Sequence, residues 1–111
     1  MARIDEYRNH IEELLNEYAS YKTPYGDIEN ETIFDRERDH YQLVSVGWDK
    51  NERVVGTSFH LDIKDGKIWI QQDNTDARIA EELVARGVPK EHIVLAFQAP
   101  YKRKYSGFAE N

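Results

Sequence analysis

The most informative hydrophobic pattern is an alternation of apolar and polar residues on both sides of Asp65-Gly66. An Asp-Gly pair between two alternating runs is typical of a two-residue type I′ turn in a β-hairpin. The turn predicts five facing pairs: Lys64 with Lys67, Ile63 with Ile68, Asp62 with Trp69, Leu61 with Ile70, and His60 with Gln71. One face of this hairpin is an apolar core face. The other carries Trp69 among polar side chains, which indicates that something covers this ring.

The period of two extends over the whole segment from residue 28 to residue 73. It predicts strands over 28–35, 40–48 and 53–63 ahead of the last strand of the hairpin, with charged turns at 36–38 and 49–52. Because the connections are short, consecutive strands must run antiparallel, and the four strands form a meander.

The loop between the second and third predicted strands decides which face each side chain of the second strand lies on. A two-residue loop at 50–51 predicts the pairs Val46–Val55, Val44–Thr57, Leu43–Ser58 and Tyr41–His60. Tyr41 and Leu43 then lie on the face of Trp69, and the two valines of this strand lie on the core face. A slip of one residue would exchange the two faces. Since Lys50-Asn51 lacks the glycine of a favoured type I′ turn, the register is less firmly specified here.

Two other segments have the periodicity of amphipathic helices. In the first, apolar residues recur every three or four positions and predict a helix over about 3–20: Ile4, Tyr7, Ile11, Leu14, Tyr18 and Tyr21. Pro24 and Gly26 are expected to end this helix and turn the chain.

The second helical segment follows the hairpin. Its apolar stripe consists of Ile79, Ala80, Leu83 and Val84. Asn74 or Thr75 can cap its start, and Asp76 suits the first turn. Gly87, followed by Val88-Pro89, is a typical stop signal.

A compact apolar run over 93–97 predicts a fifth strand, and a tail over 101–111 follows Ala99-Pro100. The expected fold is therefore a single α+β domain over residues 1–111. It consists of an antiparallel β-meander of four strands plus a fifth strand, packed against an N-terminal helix and a middle helix that cover one face.

Composition narrows the classes of function. The chain has 111 residues and a formal net charge of −6, so free nucleic acid is a poor default partner. The absence of cysteine excludes disulfides, thiolate catalysis and cysteine-ligated zinc. The apolar runs are too short to span a bilayer, and the N-terminus enters a charged helical pattern with no signal-peptide core. We therefore expect a cytoplasmic protein without membrane contact.

The sequence contains four histidines, and no two of them have the i, i+4 spacing of a zinc helix. His60 and Asp62 point the same way, two residues apart on one predicted strand. A zinc or iron site needs further ligands, and the sequence gives no other residue a reason to lie near this pair. The expectation is that the protein has neither a metal site nor a cofactor.

Catalytic motifs are absent from the sequence as well. It contains no nucleophile elbow, no glycine-rich phosphate loop and no Asp-rich calcium loop. Gly47 and Gly56 are single glycines inside predicted strands, where they mark bulges or a close approach of another element. We expect no catalytic residues and no enzymatic activity.

The only basic cluster lies in the tail, where Lys102, Arg103 and Lys104 stand between Tyr101 and Tyr105. Such interleaving could bind single-stranded nucleic acid by stacking and phosphate contacts. The preferred interpretation is a tail whose aromatic rings pack on the domain or on a partner, because three cations are a weak footprint on an acidic chain.

With these elements laid out, the chain resembles the XisI family, the controlling factors for excision of the fdxN element. The resemblance covers nearly the whole chain and is carried by FDRERDHYQL (34–43), VGW (46–48), HLDIKDGKIWIQQD (60–73), IAEELV (79–84), GVPK (87–90) and PYK (100–102). Strings of this length are far more specific than a short motif.

The resemblance implies a small, non-enzymatic protein that works with a site-specific recombinase and an XisH-type companion in programmed DNA excision. Since XisH-type proteins look nuclease-like, an antitoxin-like inhibitor is an alternative, as is a weak DNA-binding regulator. A homo-oligomer also stays open. The family offers no catalytic residues to carry over. Exposed aromatic rings among polar groups suit interface cores, so the predicted contact surface is Tyr41, Leu43, His60, Trp69 and Gln71.

Overall fold

The computed structural model of the protein describes residues 2–21, 26–75 and 78–111. In chain order the elements are α1 (Ala2–Ala19), β1 (Asp27–Asp35), β2 (His40–Asp49), β3 (Glu52–Lys64), β4 (Lys67–Asp73), α2 (Ile79–Ala85), β5 (Ile93–Leu95) and α3 (Pro100–Arg103). The strands form one five-stranded sheet in the order β1-β2-β3-β4-β5. The first four are antiparallel, and β5 runs parallel to β4. The predicted α+β fold is confirmed.

The turn between β3 and β4 has the predicted geometry. Asp65 and Gly66 both have positive φ, at 54° and 77°, as a type I′ turn requires. The first four predicted pairs, from Lys64–Lys67 to Leu61–Ile70, are confirmed. The fifth is wrong, because the register shifts beyond Leu61 and His60 pairs with Gln72. Gln71 is thereby the extra residue of a β-bulge in β4.

A second bulge separates the two ends of the β2–β3 ladder. The predicted pairs Val46–Val55 and Val44–Thr57 are confirmed. The register then shifts between Val44 and Leu43, so that Leu43 pairs with Phe59 and Tyr41 with Leu61. Ser58 is left as the extra residue of β3.

This bulge overturns the predicted faces of β2. Tyr41 and Leu43 are 0% and 3% exposed and belong to the core, not to the face of Trp69. Since neighbouring residues of a strand point to opposite faces, Val44 and Val46 leave the core face instead. The predicted pairs of Tyr41 with His60 and of Leu43 with Ser58 are therefore wrong.

The core lies between one face of the sheet and the helices α1 and α2, as predicted. The buried cluster comprises Tyr7, Ile11, Leu14, Leu15, Tyr41, Leu43, Phe59, Leu61, Ile68, Ile70, Ile79, Leu83, Val88 and Ile93. In α1 these residues follow the helical spacing of three and four, whereas in the strands they alternate. Tyr21 lies beyond the end of α1 and is exposed, although the periodicity included it in the apolar face.

The two ends of α2 differ from each other in how well the sequence predicted them. Gly87 has φ 102°, and the N–H groups of Gly87 and Val88 donate to the carbonyls of Val84 and Leu83 at 3.0 and 3.1 Å. These two bonds form a Schellman motif, so the predicted stop is confirmed.

At the start of α2 the predicted cap is wrong. Arg78 occupies the N-cap position without a side-chain cap bond, and Asn74 instead donates to the Thr57 carbonyl at 2.9 Å. The predictions for Asp76 and Pro24 concern residues outside the described part of the chain.

The fifth strand is shorter than the sequence predicted. It ends at Leu95 rather than at Phe97, which is exposed. Beyond it the tail folds back onto the domain: Ala109 forms a bridge with Val94, and Phe108 packs against the core. The interpretation that aromatic rings of the tail pack on the domain is confirmed for Phe108, whereas Tyr101 and Tyr105 are 70% and 80% exposed.

A charged network joins α1 to the turn between β1 and β2. The Arg8 guanidinium donates from Nε to Asp39 Oδ1 at 2.8 Å and from Nη2 to Asp39 Oδ2 at 3.1 Å. The Tyr41 hydroxyl also donates to Asp39 Oδ1, at 2.8 Å. The hydrogen bonds from Arg8 hold the pKa of Asp39 below its usual 3.8, while burial and the same carboxylate raise the pKa of Tyr41.

Candidate functional site

The face of the sheet opposite α1 and α2 is called the outer face below. Alternate positions of four strands supply its side chains: Glu29, Glu31 and Ile33 from β1, His40, Gln42, Val44, Val46 and Trp48 from β2, Arg53, Val55, Thr57, His60 and Asp62 from β3, and Trp69 and Gln71 from β4. Of the five predicted contact residues, His60, Trp69 and Gln71 lie on this face. Tyr41 and Leu43 are buried in the core, so their prediction as contact residues is wrong.

The aliphatic patch, defined as Ile33, Val44, Val46 and Val55, begins towards one end of the outer face with Val46 and Val55 and extends to Ile33, which lies in the same cross-strand row as His60. Val44 and Val46 are half-buried. Ile33 is 52% exposed and Val55 is 66% exposed. Sequence reasoning missed this patch because the predicted register put the two β2 valines on the core face. The available signal was Gly56, two residues before the bulged Ser58, since a glycine inside a strand often marks a bulge.

The other end of the outer face carries a histidine cluster, defined as His40, His60 and Asp62. Asp62 Oδ1 lies 2.7 Å from His40 Nδ1 and 3.0 Å from His60 Nε2. The other carboxylate oxygen, Oδ2, accepts a hydrogen bond from Gln71 Nε2 at 3.2 Å. The sequence predicted that His60 and Asp62 point the same way, but it did not predict that His40 joins them. His40 joins them because the bulge in β3 places it directly opposite Asp62.

The Trp69 ring is covered in part by cations of the same chain. Lys64 Nζ lies 4.8 Å from the ring centroid, and the Arg103 guanidinium carbon lies 5.8 Å from it. The indole Nε1 donates to the Lys64 carbonyl at 3.2 Å. Lys64 and Arg103 of α3 therefore cover part of this ring through cation–π contacts.

The basic segment of the tail is divided by these contacts. Arg103 donates to the carbonyls of Gln98 and Ala96, both at 3.0 Å, and so fastens α3 to the end of β5. Lys102 and Lys104 are exposed and lie over the rings of Tyr101 and Tyr105. Of the three cations predicted to contact nucleic acid, Arg103 is therefore held by hydrogen bonds within the chain, whereas Lys102 and Lys104 are exposed. Nucleic-acid contact through this segment stays a prediction.

No helix within residues 2–21, 26–75 and 78–111 is long and apolar enough to cross a membrane.

Comparison with known proteins gives a family and two structural relatives. The family model described as XisI protein matches residues 1–110. A crystal structure of a XisI-like protein from Anabaena variabilis is 50% identical, with a TM-score of 0.86 over 93% of this chain and 94% of that one. The fdxN element excision controlling factor XisI from the same organism is 34% identical, with a TM-score of 0.83 over 98% and 99%. None of the curated proteins matches this chain.

Proposed function

Because the chain belongs to the XisI family, we propose that it is a controlling factor for programmed excision of a DNA element and acts by non-enzymatic contact with other proteins. The partner we propose is an XisH-type companion, through which the protein reaches a site-specific recombinase. The similarity to an fdxN element excision controlling factor supports the role. The observation that carries the mode of action is the exposed aliphatic patch on the outer face.

The patch has the character of a contact surface rather than of a solvated sheet face. Antiparallel sheets that face water on one side carry polar residues there. Here Val44 lies opposite Thr57 and Val46 lies opposite Val55, so aliphatic side chains continue across two strands. A contiguous exposed apolar area with a polar surround typically marks a site of protein–protein contact.

Charge around the patch indicates the chemistry of the partner. On β1, Glu29 lies opposite Val46 and Glu31 lies opposite Val44, so carboxylates border the valines. Both glutamates are exposed. The border is acidic on the β1 side, whereas Arg53 on β3 places a cation two residues from Val55. The acidic side favours a partner whose facing surface is basic there, because opposite potentials steer encounter and exclude wrong partners. A protein that handles DNA meets this description.

The experiment is capture of the XisH-type companion by tagged variants of this protein. Val55→Arg places a cation in the most exposed part of the patch, and we expect the captured companion to fall about tenfold or more. Ala85→Arg is the matched control, because Ala85 is exposed on α2, on the helix side of the sheet. Circular dichroism confirms that both variants fold. Equal capture by the two variants would refute the outer face as the contact surface.

A further inference from the structure

Three side chains of the outer face present ligand atoms to one small volume. The ligand atoms of His40, His60 and Asp62 all lie within 4.8 Å of one another. His40 on β2 and His60 on β3 both lie within hydrogen-bond distance of the same carboxylate oxygen, Oδ1. Two imidazoles and one carboxylate are the ligand set of many zinc and other divalent transition-metal sites.

We propose that this histidine cluster binds a divalent transition-metal ion, with zinc as the best match. In a tetrahedral zinc site with ligands about 2.0–2.1 Å from the metal, neighbouring ligand atoms lie about 3.4 Å apart. The two observed nitrogen–oxygen separations of 2.7 and 3.0 Å would open by roughly half an ångström for an ion to replace the hydrogen bonds, and the two histidine nitrogens lie within 4.8 Å of each other. His40 provides this freedom, because its side chain is 53% exposed.

The surroundings of the carboxylate are also those of a metal ligand. Gln71 binds Asp62 Oδ2 and so fixes the carboxylate plane while Oδ1 points to the histidines. Outer hydrogen-bond partners of this kind orient ligands and strengthen metal binding. All three ligands stand on paired β-strands, which hold them more firmly than a loop would.

The donor atoms select the class of ion. Imidazole nitrogens favour zinc, copper, nickel and iron, whereas magnesium and calcium prefer sites built from oxygen alone. Three protein ligands leave a fourth tetrahedral position, which opens on the outer face and is accessible to water or to a ligand of another molecule. The site does not depend on the proposed role in DNA excision and is tested separately from it.

The test is a zinc titration of the full-length chain after removal of metals with a chelator, with a chromophoric chelator as competitor. We expect one equivalent of zinc to bind and the midpoint of thermal unfolding to rise, since a ligand that binds only the folded state stabilises it. His40→Gln and His60→Gln should each weaken binding more than about 100-fold, and Gln71→Ala about tenfold or more. Magnesium at the same concentration should not compete.

His10→Gln is the matched control, because His10 lies on α1, on the other side of the sheet, and should leave zinc affinity unchanged. The three glutamine variants are first compared by circular dichroism. If folded wild-type protein binds no zinc at submillimolar concentration, the cluster is a hydrogen-bonded group only and the proposal is overturned. Equal affinities of the His10, His40 and His60 variants would likewise overturn it, because the metal would then bind elsewhere.

Discussion

Asp39 gives the sharpest test of how α1 is held on the sheet. Its carboxylate accepts two hydrogen bonds from Arg8 and one from the Tyr41 hydroxyl. Its backbone has φ 58°, a left-handed conformation that Asn tolerates well and Ala does not. Asp39→Asn therefore removes the charge with little change in backbone strain, whereas Asp39→Ala removes the charge and adds strain.

The expected magnitude follows from the burial of the carboxylate. Hydrogen bonds to a charged group contribute about 1.5–3 kcal/mol when well buried. The Asp39 side chain is 16% exposed, so solvent screens part of the stabilisation from these hydrogen bonds. We therefore expect Asp39→Asn to lower the free energy of unfolding by about 1–2 kcal/mol. Asp39→Ala should lower the free energy of unfolding by roughly 1 kcal/mol more than Asp39→Asn, because alanine carries a Cβ and is disfavoured in the left-handed conformation.

The assay is urea unfolding followed by circular dichroism at pH 7 and at pH 3. A carboxyl whose folded pKa lies below the unfolded value stabilises the fold fully above the unfolded pKa and loses this contribution as the pH falls through the folded pKa. Because Arg8 lowers the pKa of Asp39 below 3.8, the difference between wild type and Asp39→Asn should shrink at pH 3.

The matched control is Asp5→Asn, which removes the other carboxylate that contacts Arg8 but lies at an exposed position. It should change stability much less than Asp39→Asn. Two results would contradict the role of this network in holding α1 on the sheet. One is an Asp39→Asn variant as stable as wild type at pH 7. The other is a loss of unfolding free energy that is the same at pH 7 and at pH 3.

Two further predictions concern the strands. Gly47→Ala should destabilise the fold by more than about 1–2 kcal/mol, because Gly47 has φ 154° and an added Cβ would overlap the backbone of Asp27 and Ile28. Gly66→Ala, with open space at its Cβ, is the milder comparison in thermal unfolding, and an equal loss would contradict the close approach. Leu43→Ala should lower the unfolding free energy by about 2–5 kcal/mol and Val44→Ala by much less, since only Leu43 faces the core. If urea unfolding showed Val44→Ala to be more destabilising than Leu43→Ala, the register without a bulge at Ser58 would be the correct one.

Those features that depend on a few neighbouring residues could be predicted from the sequence. The positive φ values of Asp65 and Gly66 are preferences of this dipeptide, and the stop at Gly87 is a preference of glycine. The periods of two and of about 3.6 residues likewise placed the strands and helices, because each element must bury one face. Close spacing along β3 also brought His60 and Asp62 together on the outer face.

The two bulges, at Ser58 and Gln71, were decided by the tertiary structure. A local signal such as Gly56 can point to a bulge, but an extra residue costs ladder hydrogen bonds locally and its position is set by pairing and packing across the whole sheet. Each bulge reverses the alternation beyond it. For this reason only the assembled sheet shows that Tyr41 and Leu43 are core residues, that Val44 and Val46 lie on the outer face, and that His40 lies beside Asp62.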